Sequence, residues 1–174
     1  IALNLSSMTF MVAMGLSVTA MIRVGNQKGL KRYKELRRIA FSIFMIATLF
    51  AVVFAILFFI FSGILPKMYL DLNDPTKMVD NYEVITIASK LLLIAAVFQI
   101  TDTIQVVALG ALRGMQDVKI PTFITFVSYW LIGFPISYYL SLYTDYKSSG
   151  IWIGLLAGLS ASGILLFIRF NYLS

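Results

Sequence analysis

The chain has 174 residues, of which 60% are hydrophobic and only 13% are charged, and its formal net charge at neutral pH is +6. A soluble domain is typically about half apolar and about a quarter charged, so this composition excludes an ordinary soluble fold. The sequence contains neither Cys nor His, which excludes disulfides, thiolate metal sites and imidazole catalysis.

Five stretches of the chain are long and apolar enough to cross a bilayer as helices, which takes ~20 residues. Four of them hold no charged residue, and the third holds only Lys90 and Asp102. The predicted spans cover about residues 1–22, 39–65, 84–112, 120–143 and 149–168. The sequence therefore predicts an all-α integral membrane protein with five transmembrane helices. Because residue 1 already lies in apolar sequence and is not Met, we expect residues 1–174 to be a partial lobe of a longer protein.

The basic residues are distributed unevenly between the predicted connections. Residues 23–38 hold seven Lys and Arg, and over alternate connections the basic residues divide ten to three. Cytoplasmic loops carry this excess in membrane proteins, so the first helix is expected to run inward and the C-terminus to be cytoplasmic. A basic cluster is also typical of lipid-headgroup or nucleic-acid patches. This loop is short and lies between two membrane helices, so we expect no nucleic-acid partner.

Glycine, proline and aspartate indicate several helix boundaries. Gly25 and Gly29 favour an end to the first helix, and residues 30–38 are expected to form a short amphipathic turn at the membrane interface. Asp74-Pro75 is typical of a helix N-terminus, so the third helix is expected to begin near it, outside the membrane.

The last two predicted spans carry signals for bending and packing. Pro135 must interrupt a backbone hydrogen bond inside the fourth span, which predicts a kink that is either a hinge or a static bend. Gly150, Gly154 and Gly158 recur every four residues in the last span and form a face that another helix can approach closely. We expect this face to pack within one bundle, with dimerisation as the alternative.

Asp102 is the most informative polar residue of the chain. An ionisable group deep in hydrocarbon costs ~2.5–3.5 kcal/mol and is a functional-site candidate by default. Gln99 and Gln105 flank it at spacings of three, on neighbouring rows of one slowly drifting helix face. A carboxylate among amides is typical of a site that binds a cation or a proton. The alternative is a permanently protonated carboxyl that hydrogen-bonds a neighbour and serves only packing.

Two further side chains are candidates for the same binding site. Phe98 lies one turn before Asp102, where an aromatic ring can contact an organic cation. Asn4 is the best cavity candidate in the polar cluster of the first span. Lys90 lies twelve residues before Asp102, ~18 Å along the helix axis, so the two cannot pair within this helix. Its long stem is expected to reach the outer interface.

The residue types do not predict an enzyme. No span contains a pair of carboxylates, and no Gly-rich phosphate loop is present. We therefore expect no catalytic residue and no cofactor other than a transported sodium ion or proton.

Several segments of the chain, taken together, form a pattern that resembles a known protein family. The strongest is Phe98-Gln-Ile-Thr-Asp-Thr-Ile-Gln105, followed by Ala111-Leu-Arg-Gly-Met-Gln-Asp117 and Pro121. The others are Ile1-Ala-Leu-Asn-Leu-Ser-Ser7, Ile22-Arg-Val-Gly-Asn-Gln-Lys-Gly29, Ser128-Tyr-Trp-Leu-Ile-Gly-Phe-Pro135 and Gly150-Ile-Trp-Ile-Gly154. With these segments the chain resembles the C-terminal half of a multidrug and toxic compound extrusion (MATE) transporter of the NorM-like type. The resemblance covers essentially the whole chain.

The resemblance implies that the five spans are helices eight to twelve of a twelve-helix, two-lobe transporter in the cell (inner) membrane. The N-terminal lobe and helix seven would precede this segment in the parent chain. It further implies export of organic cations in exchange for sodium ions or protons, with Asp102 matching the intramembrane acid of helix ten and serving as a metal ligand if sodium is the coupling ion. Sodium-coupled relatives have a Tyr one turn before that acid, whereas Phe98 offers no oxygen ligand.

Two other functions stay open on the sequence. A lipid-linked oligosaccharide flippase has a similar architecture, but its cavity would favour several basic residues and the spans offer only Lys90. A non-transporting membrane assembly subunit would use the glycine face and would tolerate Asn in place of Asp102. The sequence fixes neither the substrate range nor the oligomeric state, and we expect no transport by these five spans alone.

Overall fold

The computed structural model describes residues 2–65, 78–143 and 147–174, which are almost entirely helical. In chain order the helices are α1 (Ala2–Gly29), α2 (Tyr33–Phe61), α3 (Met78–Gly114), α4 (Lys119–Val127), a π-helical turn (Ser128–Gly133), α5 (Phe134–Tyr143) and α6 (Lys147–Leu173). Since α4, the π-helical turn and α5 follow one another without a break, the described residues contain five helices long and apolar enough to cross a membrane. The predicted all-α fold with five transmembrane helices is confirmed.

The connection between α1 and α2 is tighter than the sequence indicated. α1 continues through Gly25 to its end at Gly29, and the chain then turns within three residues, with Lys31 at a positive φ of 56°. The expected interfacial turn over residues 30–38 is not a separate element, because α2 already begins at Tyr33. Leu36 is fully buried and packs into the bundle, whereas Leu30 and Tyr33 are exposed. The predicted helix start at Asp74-Pro75 lies outside the described residues.

Helix α3 is the central helix of the bundle and packs against α1, α2 and α6. Its residue Leu112 belongs to one fully buried cluster with Val24 of α1, Leu36 of α2 and Phe170 of α6. The run from α4 to α5 packs chiefly against α6. Most large apolar side chains outside this cluster are exposed, which suits a surface that contacts lipid or other membrane helices.

Helices α1 and α3 approach closely where small residues leave space. A Cβ atom at Gly110 would overlap the backbone and hydroxyl of Ser17, and one at Gly114 would lie 2.5 Å from the carbonyl oxygen of Met21. The Ser17 hydroxyl donates a hydrogen bond of 2.7 Å to the carbonyl oxygen of Val106. Glycine at these two positions is required by the close approach of the two backbones.

The glycine row of α6 packs within the chain. Each of its members faces the run from the π-helical turn to α5: Gly150 faces Leu140, Gly154 faces Ser137 and Gly158 faces Gly133. A Cβ atom at Gly158 would lie only 2.9 Å from the Cα atom of Gly133. The row therefore lets α6 and its neighbour come into backbone contact inside one bundle.

Polar contacts join three segments at one end of the bundle, namely the end of α1, the α3–α4 turn and the end of α6. The Arg169 Nε atom pairs with Asp117 Oδ2 at 2.6 Å, and both side chains are largely buried. The Lys28 ammonium donates a hydrogen bond to the carbonyl oxygen of Met115. Gln116 adopts a positive φ of 61°, which turns the chain between these two contacts. The three segments that the charge pattern assigned to one side of the membrane therefore lie at the same end.

Candidate functional site

Asp102 lies in α3, inside the third membrane span, and is half-buried. In the parts of the chain that the structure describes, no donor bonds its carboxylate and no cation pairs with it. The neighbouring hydroxyls of Thr101 and Thr103 instead donate to carbonyl oxygens of their own helix, at 2.8 Å and 2.7 Å. The hydrogen bond that a purely structural carboxyl would need is thus not found among these residues. An acid in this state retains its full capacity to bind a proton or a small cation.

Gln99 faces the helices on one side of α3. Its Nε2 atom donates a hydrogen bond of 3.1 Å to the carbonyl oxygen of Ala51 in α2, which fixes the orientation of the amide because that partner can only accept. Its Oε1 atom is buried and has no partner in the described residues. Gln99 also lines a cavity of about 10 Å³, together with Thr9 and Thr103. The cavity has room for about one water molecule, which would satisfy the amide oxygen.

Gln105 faces a different neighbour, the π-helical turn. Its Oε1 atom accepts a hydrogen bond of 3.2 Å from the hydroxyl of Tyr129. Because six residues separate Gln99 from Gln105, their directions around α3 differ by about 120°. The single polar face that the spacing predicted is therefore divided, with Asp102 between one amide that is bound to α2 and another that is bound to Tyr129.

Phe98 packs toward α6, and Asn4 lies near the start of α1. The ring of Phe98 packs edge-on against Trp152 of α6, with centroids 5.7 Å apart and an interplanar angle of 72°. The side chain of Asn4 is exposed near the start of α1. The hydrogen bond between Ser17 and Val106 shows that these two residues lie at the same height in α1 and α3. Asn4 lies thirteen residues before Ser17 in α1, and Asp102 lies four residues before Val106 in α3. The helical rise then separates their levels by ~13 Å, so the structure does not bring Asn4 to Asp102.

Pro135 is the second residue of α5, which directly follows the π-helical turn. A proline has no N–H to bond the carbonyl four residues earlier, so a regular α-helix cannot continue through this position. The backbone forms a wider, π-helical turn here, in which the N–H of Phe134 donates a hydrogen bond to the carbonyl oxygen of Tyr129, five residues earlier. The sequence predicted an irregularity at Pro135 but did not indicate that it would be a π-helical turn over Ser128–Gly133.

Tyr129 is the residue beside this site that sequence reasoning did not select. Its hydroxyl donates a hydrogen bond to Gln105, which lies three residues after Asp102 on α3. The signal in the sequence was weak, because Tyr129 is one of many aromatic residues in the span. Its neighbour Trp130 is 58% exposed, so adjacent aromatic residues of one turn point in different directions. Only the packing of α3 against this turn distinguishes them.

A bundle of membrane-crossing helices with an unpaired acid inside one of them is typical of proteins that move ions or charged solutes. The profile of the MatE family matches residues 1–139. The Probable multidrug resistance protein NorM of Agrobacterium fabrum (strain C58) is 38% identical over 170 residues, which is 98% of this chain and 36% of that protein. Multidrug resistance protein MdtK of Yersinia pestis (strain Pestoides F) and of Yersinia pseudotuberculosis (serotype O:1b) are each 39% identical over 178 residues, which is 99% of this chain and 37% of theirs. The chain belongs to the MATE family.

The chain spans a little over a third of the length of these curated relatives. The family membership and the membrane fold hold for the segment itself.

Proposed function

We propose that the complete protein is a secondary active antiporter that exports organic cations or drugs in exchange for sodium ions or protons, and that Asp102 is its cation-binding group. The observation that carries this proposal is the unpaired carboxylate of Asp102 inside a membrane span. The names of the curated relatives, which are multidrug resistance proteins, also support this proposal.

A single carboxylate couples two cations by competition. At ~4 Å and an effective dielectric constant of ~20, a carboxylate attracts a monovalent cation by about 4 kcal/mol. Proton or sodium binding removes most of this attraction, which weakens the hold on an organic cation by up to about a thousandfold. By reciprocal linkage the organic cation weakens ion binding by the same factor. Asp102 therefore holds either the drug or the coupling ion, and inward movement of the ion drives release of the drug.

The same proposal includes an orientation in the cell (inner) membrane with the C-terminus in the cytoplasm. Its support is the excess of Lys and Arg in residues 23–38, since cytoplasmic loops carry this excess. The contacts of Lys28 and Arg169 with the α3–α4 turn agree with a common side for these segments. Cysteine labelling from either side of the membrane, with single Cys variants at Lys31 and Tyr172, tests the orientation, and outward labelling of either position would contradict it.

The test of the antiport uses the complete protein in liposomes. Efflux of a fluorescent organic cation such as ethidium is followed under a pH gradient and, separately, under a sodium gradient. We expect Asp102→Asn to abolish gradient-driven flux, because an amide can neither bind the proton nor neutralise a cation. Asp117→Asn is the matched control, since it removes a carboxylate of the same chain outside the spans.

The outcomes are distinct. Flux that is lost in Asp102→Asn and kept in Asp117→Asn establishes the antiporter, and the gradient that drives it names the ion. Equal flux in wild type and Asp102→Asn would refute the role of the acid. No flux with either gradient in wild type would refute antiport itself and favour a flippase or a membrane assembly subunit.

A further inference from the structure

The hydroxyl of Tyr129 has a fixed direction of donation. Its partner is the Oε1 atom of Gln105, 3.2 Å away, and this oxygen can only accept a hydrogen bond. The phenol must therefore supply its single proton to Gln105. Both lone pairs of the phenol oxygen are then left free to accept, and the oxygen has no proton to offer to a second acceptor.

The ionisable group next to Gln105 on α3 is Asp102. Asp102 and Gln105 are three residues apart on α3, which places their Cβ atoms ~5–6 Å apart on one side of the helix. The phenol oxygen and the Asp102 carboxylate, which can both only accept, thus both lie on the Gln105 side of α3 in an apolar bundle. Such a pair is stabilised by a cation or a proton placed between them, because either supplies the positive charge that both oxygens lack.

The π-helical turn is what directs Tyr129 toward α3. An i→i+5 turn contains one more residue than an α-helical turn, so Tyr129, whose carbonyl oxygen accepts the i→i+5 hydrogen bond, is rotated by roughly 100° relative to the residues after the turn, compared with an unbroken helix. Both ends of the turn are held against α6. A Cβ at Gly158 would lie 3.2 Å from the Ser128 carbonyl oxygen at one end and 2.9 Å from the Gly133 Cα at the other. The rings of Trp130 and Phe134, by contrast, are 58% and 60% exposed on the outer side of the same run.

We propose that the phenol oxygen of Tyr129 is a further ligand of the coupling cation at Asp102, and that Gln105 positions it. With sodium, the oxygen coordinates the ion together with the carboxylate. With a proton, it accepts the hydrogen bond of the protonated Asp102 carboxyl. This inference rests on the proposed cation exchange at Asp102. The second oxygen ligand of the cation site then comes from the π-helical turn, whereas the acid is in α3.

The experiment measures how strongly the coupling ion drives transport in the complete protein. Ethidium efflux from liposomes is recorded over a series of sodium concentrations and, separately, of pH values. We expect Tyr129→Phe to raise the ion concentration for half-maximal flux by about tenfold or more, since a hydrogen bond or ligand to a charged group is lost. The maximal rate at saturating ion should change by less than about twofold, because the ring and its packing remain.

Tyr138→Phe is the matched control. Tyr138 lies in α5, is 54% exposed and stacks on Phe134, so removal of its hydroxyl should leave the ion dependence unchanged. Gln105→Leu should raise the half-maximal concentration less than Tyr129→Phe does. The double variant should match Tyr129→Phe alone, since Gln105 acts only through the phenol.

A second readout does not require transport. The melting temperature of the purified protein should rise when the coupling ion is added, because an ion that binds only the folded state stabilises it. This rise should be smaller in Tyr129→Phe and unchanged in Tyr138→Phe. A lower maximal rate or melting temperature in Tyr129→Phe, with an unaltered ion dependence, would overturn the proposal and make Tyr129 structural. If Asp102→Asn is as active as wild type, the proposed function fails, whereas loss in Asp102→Asn with normal Tyr129→Phe refutes this inference alone.

Discussion

The glycine row of α6 gives a stability prediction whose size follows from the structure. A Cβ atom at Gly154 would lie 2.5 Å from the Cα atom of Ser137, whereas ordinary contact begins at 3.4 Å. The two backbones must therefore separate by at least about 0.9 Å, the difference between these distances, to accept Gly154→Ala. Because the obstacle is backbone, no side-chain rotation relieves it. The separation also weakens the hydrogen bond of 3.2 Å from the Ser137 hydroxyl to the Ile151 carbonyl oxygen.

The expected net effect is the difference between two terms. Overpacking of a tight contact costs typically 1–3 kcal/mol, and a backbone clash lies at about the upper end of that range. Alanine stabilises a helix by up to about 1 kcal/mol relative to glycine. Gly154→Ala should therefore destabilise the protein by about 2 kcal/mol. Gly158→Ala, whose Cβ would lie 2.9 Å from the nearest atom, should destabilise it less, by about 1 kcal/mol.

Gly163→Ala is the internal control, because it lies on the same helix. Its Cβ atom would meet its nearest neighbours at 3.7–3.8 Å, which is ordinary contact, so only the favourable helix term applies. Thermal unfolding of the complete protein in one detergent should rank the variants Gly163→Ala, wild type, Gly158→Ala and Gly154→Ala from most to least stable. Equal melting temperatures for Gly154→Ala and Gly163→Ala would refute the argument that the row mediates backbone contact within this bundle.

Three further predictions concern other contacts of the bundle. Breaking the pair between Asp117 and Arg169 with Asn and Gln, singly and together, should reveal a coupling of about 1 kcal/mol that shrinks with added salt; additive single effects would contradict it. Gly110→Ala should destabilise more than Ser17→Ala, because the first forces α1 and α3 apart and the second removes one hydrogen bond of about 1 kcal/mol; the reverse order in thermal unfolding would count against the tight crossing. If the bend before Pro135 is a hinge, Pro135→Ala should slow ethidium export at unchanged melting temperature, and export at the wild-type rate would identify a static bend.

The sequence alone predicted those features that depend on composition and local periodicity. Length and hydropathy predicted five membrane-crossing helices, since a bilayer sets the length of an apolar helix regardless of how the helices pack. Asp102 was recognisable because an acid inside such a stretch is unfavourable wherever it faces. The four-residue spacing of Gly150, Gly154 and Gly158 likewise indicated a face for close packing.

Only the tertiary structure determined which neighbouring helix each of these side chains faces. Helical periodicity places Gln99 and Gln105 relative to each other, but only the positions of α2 and the π-helical turn determine which partner each amide meets. The turn itself replaces one backbone hydrogen bond by another of similar strength, so residue preferences could not reveal it. Its register turns Tyr129 toward Gln105 and Asp102 while adjacent aromatic residues face outward. The site therefore depends on contacts between helices that are far apart in the sequence, and local patterns contain no information about those contacts.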